Sequence, residues 1–328
     1  MNSAVTLPAS CRFGLVLHVL ALLAAALLCG GCSRVPSALR PLPSASGPVL
    51  TERLTYRVDH LQVRALICRP DLRPGRPLLN LVHGGLDSPV DEAACRRFAR
   101  LGYVVAASAL RGQGGSQGRP EICGGEVDDV RALSSLVRQR SKTDPRRIGY
   151  LGVSLGGCVA IKAAALGSGV RAVVTLLSPT DFAEQLDLLR PVRPDAVARW
   201  EALLGGPASA RPAAYEARRP LKALARLRAP LLTVAAGRDQ LIPLKQSCAV
   251  RDVRRLSGHH VTEVRQNQAG RPAPRDSRRR LQRCRDEAPL GRLPALQRQD
   301  VLLIYEDLGH TSTPLMWRTA EAFLKANL

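Results

Sequence analysis

The stretch RIGYLGVSLGGCVAIKAAAL, residues 147–166, joins two apolar segments through glycines and one serine. The first segment is short and continuously apolar, as in a buried strand, and the second has the length of a buried helix. Ser154 lies at the junction, within the pattern Gly-x-Ser-x-Gly. Gly152 and Gly156 lack the Cβ atoms that would collide where strand and helix cross. The stretch therefore predicts a tight, strained turn that lifts the Ser154 hydroxyl above the end of a sheet.

Apolar runs alternate with helical patterns on both sides of this junction. The predicted strands occupy 54–70 (two strands with a turn near 59–60), 77–85, 103–110, 147–153, 170–178, 229–237 and 301–310. The predicted helices occupy 88–102, 124–141, 156–166 and 314–328. Continuously apolar strands separated by helices are typical of a parallel sheet buried on both faces. The sequence therefore predicts an α/β fold with a mostly parallel, doubly wound sheet.

Two segments interrupt this alternation. Residues 183–228 contain helical pieces broken by prolines between two core strands, and we predict that they form a helical lid over the sheet edge. Residues 251–298 are rich in arginine, glycine, proline and glutamine and show little periodicity. We predict that this basic segment is a surface insertion before the last strand, disordered in part.

The N-terminal residues have the features of an export signal. Arg12 precedes an apolar run that ends in the small residues of CGGC, 29–32. This pattern predicts a signal peptide over 1–31 and is too short to favour a transmembrane helix. The ending resembles the lipobox of bacterial lipoproteins, with Cys32 as the lipid site, although Cys29 stands where leucine is usual.

A Pro- and Ser-rich tether, 32–50, follows this signal and leaves 51–328 for the predicted domain. We therefore expect an exported protein of a bacterial periplasm or cell envelope, associated with the membrane through a lipid anchor. The alternative is an uncleaved N-terminal anchor.

The cysteines after position 32 are even in number, which in an exported chain permits disulfides. Cys248 and Cys284 bracket part of the basic segment, and we predict that they pair. Cys158 lies in an apolar helical pattern, and we interpret it as a buried thiol. The cysteines and histidines lack the spacing of a zinc site, so we predict no metal.

The formal net charge of +21 raises the question of nucleic acid or anionic membranes as partners. The arginines are scattered through helices and loops rather than clustered on one element. Aromatic residues make up only 3% of the chain, so stacking platforms for single strands are scarce. These features argue against nucleic acid and favour attraction to an anionic membrane surface.

A serine at such a turn needs a base, and the base needs a group that orients it. Asp239 follows the apolar run 229–237, and His310 follows the last apolar run. Both lie beyond the carboxyl ends of predicted strands, where open α/β sheets bind ligands. We predict Ser154 as nucleophile, His310 as base and Asp239 as the orienting acid. Asp181, which also follows a core strand, is the reserve acid.

An oxyanion hole requires two backbone N–H donors fixed where negative charge develops. We predict that the N–H of Leu155, directly after the serine, is one donor. The loop HGGLD, 83–87, supplies the other from Gly85 or Leu86. We expect His83 to organise this loop through hydrogen bonds rather than to transfer protons.

From about residue 77 to the C terminus, these features resemble the α/β-hydrolase superfamily. Within it, the chain is similar to the catalytic domain of the prolyl oligopeptidase group, peptidase family S9. The resemblance is carried by VHGG (82–85), GGEVDDVRALSSLV (124–137), DPRRIGYLGVSLGG (144–157), RRPLKALARLRAPLL (218–232) and GRDQLIPLKQS (237–247). The sequence departs from that group because it has no room for a β-propeller and because its basic insertion is longer. RGQGGSQG (111–118) resembles the Arg-Gly-Gln signature of acetyl-ester deacetylases, although Leu155 stands where those enzymes have glutamine.

The resemblance implies a serine hydrolase that cleaves an ester or amide bond through an acyl-enzyme on Ser154, without a cofactor. A short peptide and a small ester both remain open as substrates, since an S9-like peptidase and a carboxylesterase or deacetylase share this fold. A non-catalytic, membrane-tethered binding module is the alternative of another class. A narrower hypothesis is that the basic insertion overhangs the pocket and selects acidic groups; its alternative is a solvated loop without selectivity.

Overall fold

One sheet of nine strands organises the domain in the computed structural model, which describes residues 47–273, 284 and 296–328. The strands are β1 (Leu50–Val58), β2 (Leu61–Arg69), β3 (Leu78–Val82), β4 (Val104–Ser108), β5 (Ile148–Val153), β6 (Val170–Leu176), β7 (Leu231–Ala236), β8 (Val261–Gln266) and β9 (Asp300–Tyr305). Their order in the sheet is β1-β2-β4-β3-β5-β6-β7-β9-β8. The predicted signal peptide, the Cys32 lipid site and most of the predicted tether lie outside the described residues.

The helices lie on the two faces of this sheet. They are α1 (Glu92–Arg100), α2 (Glu126–Ser141), α3 (Leu155–Ala165), α4 (Phe182–Leu189), α5 (Pro194–Leu204), α6 (Pro212–Arg218), α7 (Leu221–Leu224), α8 (Leu244–Leu256) and α9 (Pro314–Asn327). Helices α1 and α9 bury their apolar sides in one core, where Phe98 contacts Trp317. Helices α2, α3 and those between β6 and β7 pack on the other face.

The pairing of the strands follows their sequence patterns. β1 and β2 form an antiparallel hairpin whose turn contains Asp59 at φ 52°, and β2 also pairs antiparallel with β4. All other pairs are parallel. Strands β3, β4, β7 and β9 are buried along their whole length, because helices cover both faces. The predicted mostly parallel α/β-hydrolase fold is confirmed.

The segment predicted as a lid is helical and lies between β6 and β7, as helices α4 to α7. Phe182, Leu186 and Tyr215 of this segment are buried in the core on the α3 face. Helix α5 also reaches the loop after β3, where Arg199 pairs with Asp87 at 2.8 Å. The segment is therefore packed on the domain and reaches the end of the sheet at which β3 terminates.

The prediction of a surface insertion over 251–298 is wrong for its first third. Helix α8 continues to Leu256, and β8 then adds an edge strand parallel to β9. Three arginines interrupt the apolar pattern of this helix and strand, yet they are buried: Arg251, Arg254 and Arg265 are 2%, 0% and 5% exposed. The remainder of the predicted insertion lies largely outside the described residues.

Carboxylates from the sheet explain how these arginines are accommodated. Arg254 pairs with Asp300 at 2.6 Å, and Arg251 pairs with Glu263 at 2.7 Å. Arg265 contacts both Glu263 and Glu306. A buried arginine is tolerated when its charge and its donors are satisfied in this way.

Disulfides link elements that are distant in sequence. Cys68 on β2 bonds to Cys95 on α1, and Cys248 on α8 bonds to Cys284. The predicted pairing of Cys248 with Cys284 is thus found. The interpretation of Cys158 as a buried thiol is wrong, because Cys158 on α3 bonds to Cys123. A local helical pattern cannot reveal a partner that a loop before α2 supplies.

Across 47–273 and 296–328, no helix combines the length and apolarity that a membrane crossing requires.

Candidate active site

Ser154 occupies a strained turn between β5 and α3. Its φ and ψ are 50° and −126°, a combination that few non-glycine residues adopt. The turn is fixed on both sides: the Ser154 N–H donates to Leu176 O at 2.8 Å, and Gly157 N–H donates to Ser154 O at 2.9 Å. The serine side chain is held at the end of the sheet by its own backbone.

Gly152 and Gly156 are required by close backbone contacts. A Cβ on Gly152 would lie 2.3 Å from Gly156 O, so strand and helix could not cross. A Cβ on Gly156 would lie 2.4 Å from the carbonyl oxygens of Val82 and His83, at the end of β3. Gly152 therefore allows α3 to cross close to β5, and Gly156 allows α3 to pack against the end of β3.

The structure brings the three predicted catalytic side chains together above the sheet. His310 Nε2 lies 3.1 Å from Ser154 Oγ, and His310 Nδ1 lies 2.7 Å from Asp239 Oδ2. These are hydrogen-bonding distances, and they join groups that are far apart in the sequence. The imidazole can accept the hydroxyl proton on one side while the carboxylate binds its other N–H.

Asp239 is buried and firmly held, whereas the His310 side chain retains 23% of its exposure. Asp239 Oδ1 accepts hydrogen bonds from the N–H groups of Leu241 and Ile242, both at 2.8 Å. The loop carrying the acid is tied to the loop carrying the base, since Arg238 N–H donates to Leu308 O at 2.8 Å. The acid and the base are therefore positioned as one unit.

Asp181, the reserve acid, has a different place. Its carboxylate accepts the N–H of Glu184 at 3.1 Å and so caps helix α4. It also pairs with Arg219. The structure thus assigns this carboxylate to the start of the lid segment rather than to His310.

The loop after β3 lies against the nucleophile, as an oxyanion hole requires. A Cβ on Gly84 would lie only 2.8 Å from Ser154 Cβ, and Gly85 has a φ of +81°. Within the described residues, the N–H groups of Leu155, Gly85 and Leu86 donate no hydrogen bond. Because Leu155 begins helix α3, its N–H also has the favourable orientation of a helix N-terminus.

His83 contacts backbone carbonyl groups on two loops. Its Nε2 lies 3.2 Å from Ala109 O, and its Nδ1 lies 3.0 Å from Gly84 O. One ring nitrogen of a neutral imidazole carries the proton, so one of these contacts is a hydrogen bond. This arrangement fits the predicted role of His83 in organising the loop.

The Arg-Gly-Gln motif supports the same loop through groups that sequence reasoning left unassigned. Arg111 binds Asp129 through two nitrogens, at 2.8 and 3.1 Å, and contacts Glu121 at 2.7 Å. Burial raises the pKa of Asp129, and Arg111 opposes that rise. Gln113 Oε1 accepts the N–H of Ser88 at 3.4 Å. The motif therefore braces the β3 and β4 loops and does not reach the serine.

A pocket of about 240 Å³ lies at the same end of the sheet as the triad, and none of the three catalytic side chains lines it. Its walls include Gly84 and Val153 beside the nucleophile and Ser312 just after His310. The remaining wall is largely apolar and comes from β3, the segment before α1 and Trp317. No group of side chains suited to a metal occurs among the described residues.

Comparison with known proteins shows where this site belongs. The model of the X-Pro dipeptidyl-peptidase (S15) family matches residues 37–247. An uncharacterized peptidase of Bacillus subtilis, YtmA, is 26% identical over 216 residues, which are 63% of this chain and 80% of that protein.

The solved structures share the fold at low sequence identity. Acylaminoacyl peptidase of Pyrococcus horikoshii is 16% identical with a TM-score of 0.64, over 86% of this chain and 42% of that chain. An esterase of Pyrococcus furiosus is 14% identical with a TM-score of 0.56, over 86% of this chain and 96% of that chain. The chain thus spans less than half the length of the acylaminoacyl peptidase. The predicted likeness to S9-type enzymes is confirmed at the level of the fold.

The matching family model covers more than half of the chain and includes both Ser154 and Asp239. It is a family of serine peptidases of the α/β-hydrolase fold, and the predicted serine hydrolase is confirmed. The chain belongs to the X-Pro dipeptidyl-peptidase (S15) family.

Proposed function

We propose that this chain is a serine peptidase that cleaves short peptides through an acyl-enzyme on Ser154. The observation that carries the proposal is the continuous contact from Ser154 Oγ through His310 to Asp239, at 3.1 and 2.7 Å. Such a chain of contacts turns a weakly nucleophilic hydroxyl into one that loses its proton as it attacks.

In this mechanism, Ser154 Oγ attacks the substrate carbonyl while His310 Nε2 takes the proton. Asp239 holds the imidazole in the required tautomer and stabilises the imidazolium. The N–H of Leu155 and one N–H of the β3 loop, from Gly85 or Leu86, donate to the new oxyanion. His310 then gives its proton to the leaving amine, and water releases the acyl group by the same steps in reverse.

Membership of the S15 family and the likeness to YtmA support a peptide as the substrate. A second candidate is an ester. The Pyrococcus furiosus esterase shares the fold over almost its whole length, which this chain covers to 96%. The Arg-Gly-Gln motif also resembles a signature of deacetylases.

A paired substrate assay distinguishes the two. Dipeptide nitroanilides with and without proline next to the scissile bond are compared with nitrophenyl esters, with Ser154→Ala as the blank. We expect turnover of nitroanilides that the Ser154→Ala variant loses. Hydrolysis of esters alone would refute the peptidase and favour the esterase. A folded protein whose Ser154 does not react with a fluorophosphonate probe would instead fit a non-catalytic binding module.

The location of the protein is also part of the proposal: a periplasmic or cell-envelope protein with a lipid on Cys32. Three disulfides support it, because such bonds persist in oxidising compartments. Labelling with a radioactive fatty acid tests it, with Cys32→Ala as the control. Absence of label from the wild-type protein in a bacterial host would refute lipidation, and recovery in the cytosolic fraction would refute export.

A further inference from the structure

A groove of about 650 Å³ lies beside the catalytic loop. It is enclosed by the β1–β2 hairpin, the segment before α1 and the loop after β4. Pro89 and Val90 line both this groove and the smaller pocket, which Gly84 and Val153 also line. The two spaces are therefore neighbours on either side of one short segment.

Arg64 is an exposed residue of β2 that lines this groove. The guanidinium lies over the backbone of Gly115: a Cβ there would be 2.6 Å from Arg64 Nη1 and 2.8 Å from Cζ. The Arg64 N–H donates to Ser116 Oγ at 3.0 Å, which ties the strand to the same loop.

The other charges of the groove neutralise one another. Arg53 pairs with Glu92, and both line the groove. Asp91, on the neighbouring pocket, is engaged as the N-cap of α1 through a hydrogen bond from Ala94 N–H at 2.8 Å. In the part of the chain that the structure describes, the Arg64 guanidinium makes no ion pair. The groove thus presents one uncompensated positive charge.

The sheet order sets the distance between the strand that carries Arg64 and the strand that precedes Ser154. β2 and β5 are three positions apart in the order β2-β4-β3-β5, and Ser154 follows β5. At about 4.8 Å between neighbouring strands, the separation is roughly 14 Å. An extended peptide spans this distance in about four residues.

We propose that Arg64 binds a substrate carboxylate about four residues from the scissile bond. The inference rests on the proposed peptidase function and adds a preference for acidic peptides. The carboxylate could belong to an acidic side chain on the acyl side or on the leaving-group side, and planar guanidinium is well suited to either.

Competitive inhibition of nitrophenyl acetate hydrolysis tests this binding directly. The probes are acetylated and amidated hexapeptides of alanine with one glutamate at the first or the last position, each matched by a glutamine peptide. At one of the two peptide positions, we expect the glutamate peptide to bind about three- to fivefold more tightly than its glutamine counterpart at low salt, as for a partly exposed ion pair. The difference should disappear in Arg64→Gln and persist in Arg64→Lys.

Arg171→Gln is the matched control, because it removes the same charge from an exposed arginine at the amino end of β6. It should keep the preference for glutamate. Equal inhibition by glutamate and glutamine peptides in the wild type would overturn the proposal, as would an equal loss in both glutamine variants. Turnover of the dipeptide nitroanilides by the wild type, and its loss in Ser154→Ala, report separately on the peptidase function, so failure of one proposal is distinguishable from failure of the other.

Discussion

Asp239 uses its two carboxylate oxygens for different partners. Oδ2 faces His310 Nδ1 at 2.7 Å, while Oδ1 accepts two backbone N–H groups from its own loop. The backbone therefore fixes the orientation of the carboxylate independently of the histidine. An amide in this place would keep the backbone hydrogen bonds through its oxygen and turn its NH₂ group towards Nδ1.

Asp239→Asn should consequently lower kcat by about 10⁴-fold without unfolding the protein, because an NH₂ donor imposes the wrong tautomer on His310. Nitrophenyl ester hydrolysis measures the loss, and thermal unfolding checks the fold. Asp181→Asn is the matched control: it removes a carboxylate from the cap of α4 and should leave kcat nearly unchanged. A larger loss in Asp181→Asn than in Asp239→Asn would reverse the assignment of the acid.

Gly84→Ala tests the contact between the oxyanion loop and the nucleophile. The new Cβ would meet Val153 O at 2.7 Å and Ser154 Cβ at 2.8 Å, so the loop must move away. We expect kcat to fall by about 10²–10³-fold, the usual effect of losing one oxyanion donor. Gly47→Ala is the control, since a Cβ there would have no atom within 4 Å. Unchanged kcat in Gly84→Ala would show that this loop does not supply the donor.

The triad could be predicted from sequence because each of its residues follows a recognisable apolar strand. Parallel strands deliver such residues to one edge of the sheet. The supporting contacts could not be predicted in the same way. Arg111 depends on Asp129, and Gln113 on Ser88; neither partner has a local pattern that marks it.

At the scale of the element, the end of α8 shows how an arginine-rich composition can conceal a buried helix from sequence analysis. Arg254 and Arg255 are neighbours with opposite environments: Arg254 is 0% exposed, and Arg255 is an exposed residue. The Arg254 guanidinium binds Asp300 and donates to the carbonyl oxygens of Leu227 and Ala229. It thereby joins α8 to β9 and to the chain that enters β7.

Arg254→Leu should lower the free energy of unfolding by about 3–5 kcal/mol, because it leaves the Asp300 carboxylate buried without its partner. Arg255→Leu removes the same charge from the adjacent, exposed position and should change stability by less than about 1 kcal/mol. Urea unfolding followed by circular dichroism measures both. Similar small losses in the two variants would mean that Arg254 is exposed in solution and that this part of the predicted insertion is indeed a solvated loop.

The elements that sequence predicted well are those with continuously apolar strands, such as β3, β5 and β7. β8 escaped prediction because its burial depends on ion pairs: Glu263 and Arg265 lie on a buried strand and neutralise partners on α8 and after β9. Periodicity in the sequence reveals apolar faces, but it does not reveal which distant charged residue will pair with a given side chain. The Arg-rich segment thus looked solvated.

At the scale of the whole molecule, the three disulfides join separate parts of the domain. They close segments of 27, 35 and 36 residues. Each link restricts the unfolded chain, and for loops of this length the entropic effect is worth about 3–4 kcal/mol. The bond from Cys123 to Cys158 has a particular place, because it anchors the loop before α2 to the helix that begins at Leu155.

Replacing Cys123 and Cys158 together by alanine should therefore lower the free energy of unfolding by about 3–4 kcal/mol, as measured by urea titration. The native Cys248–Cys284 bond closes a loop of nearly equal length, so replacing these two cysteines by alanine should cost a similar amount of stability. The two disulfides differ in their distance along the chain from Ser154. We expect only the first variant to reduce kcat as well, since it frees one end of the nucleophile helix.

Alkylation of the wild-type protein in denaturant without reductant checks whether these cysteines are disulfide-bonded. If Cys158 of the wild-type protein were alkylated under these conditions, it would be a free thiol, as its apolar helical pattern suggested. Any loss of stability in the Cys123 and Cys158 double variant would then need another explanation.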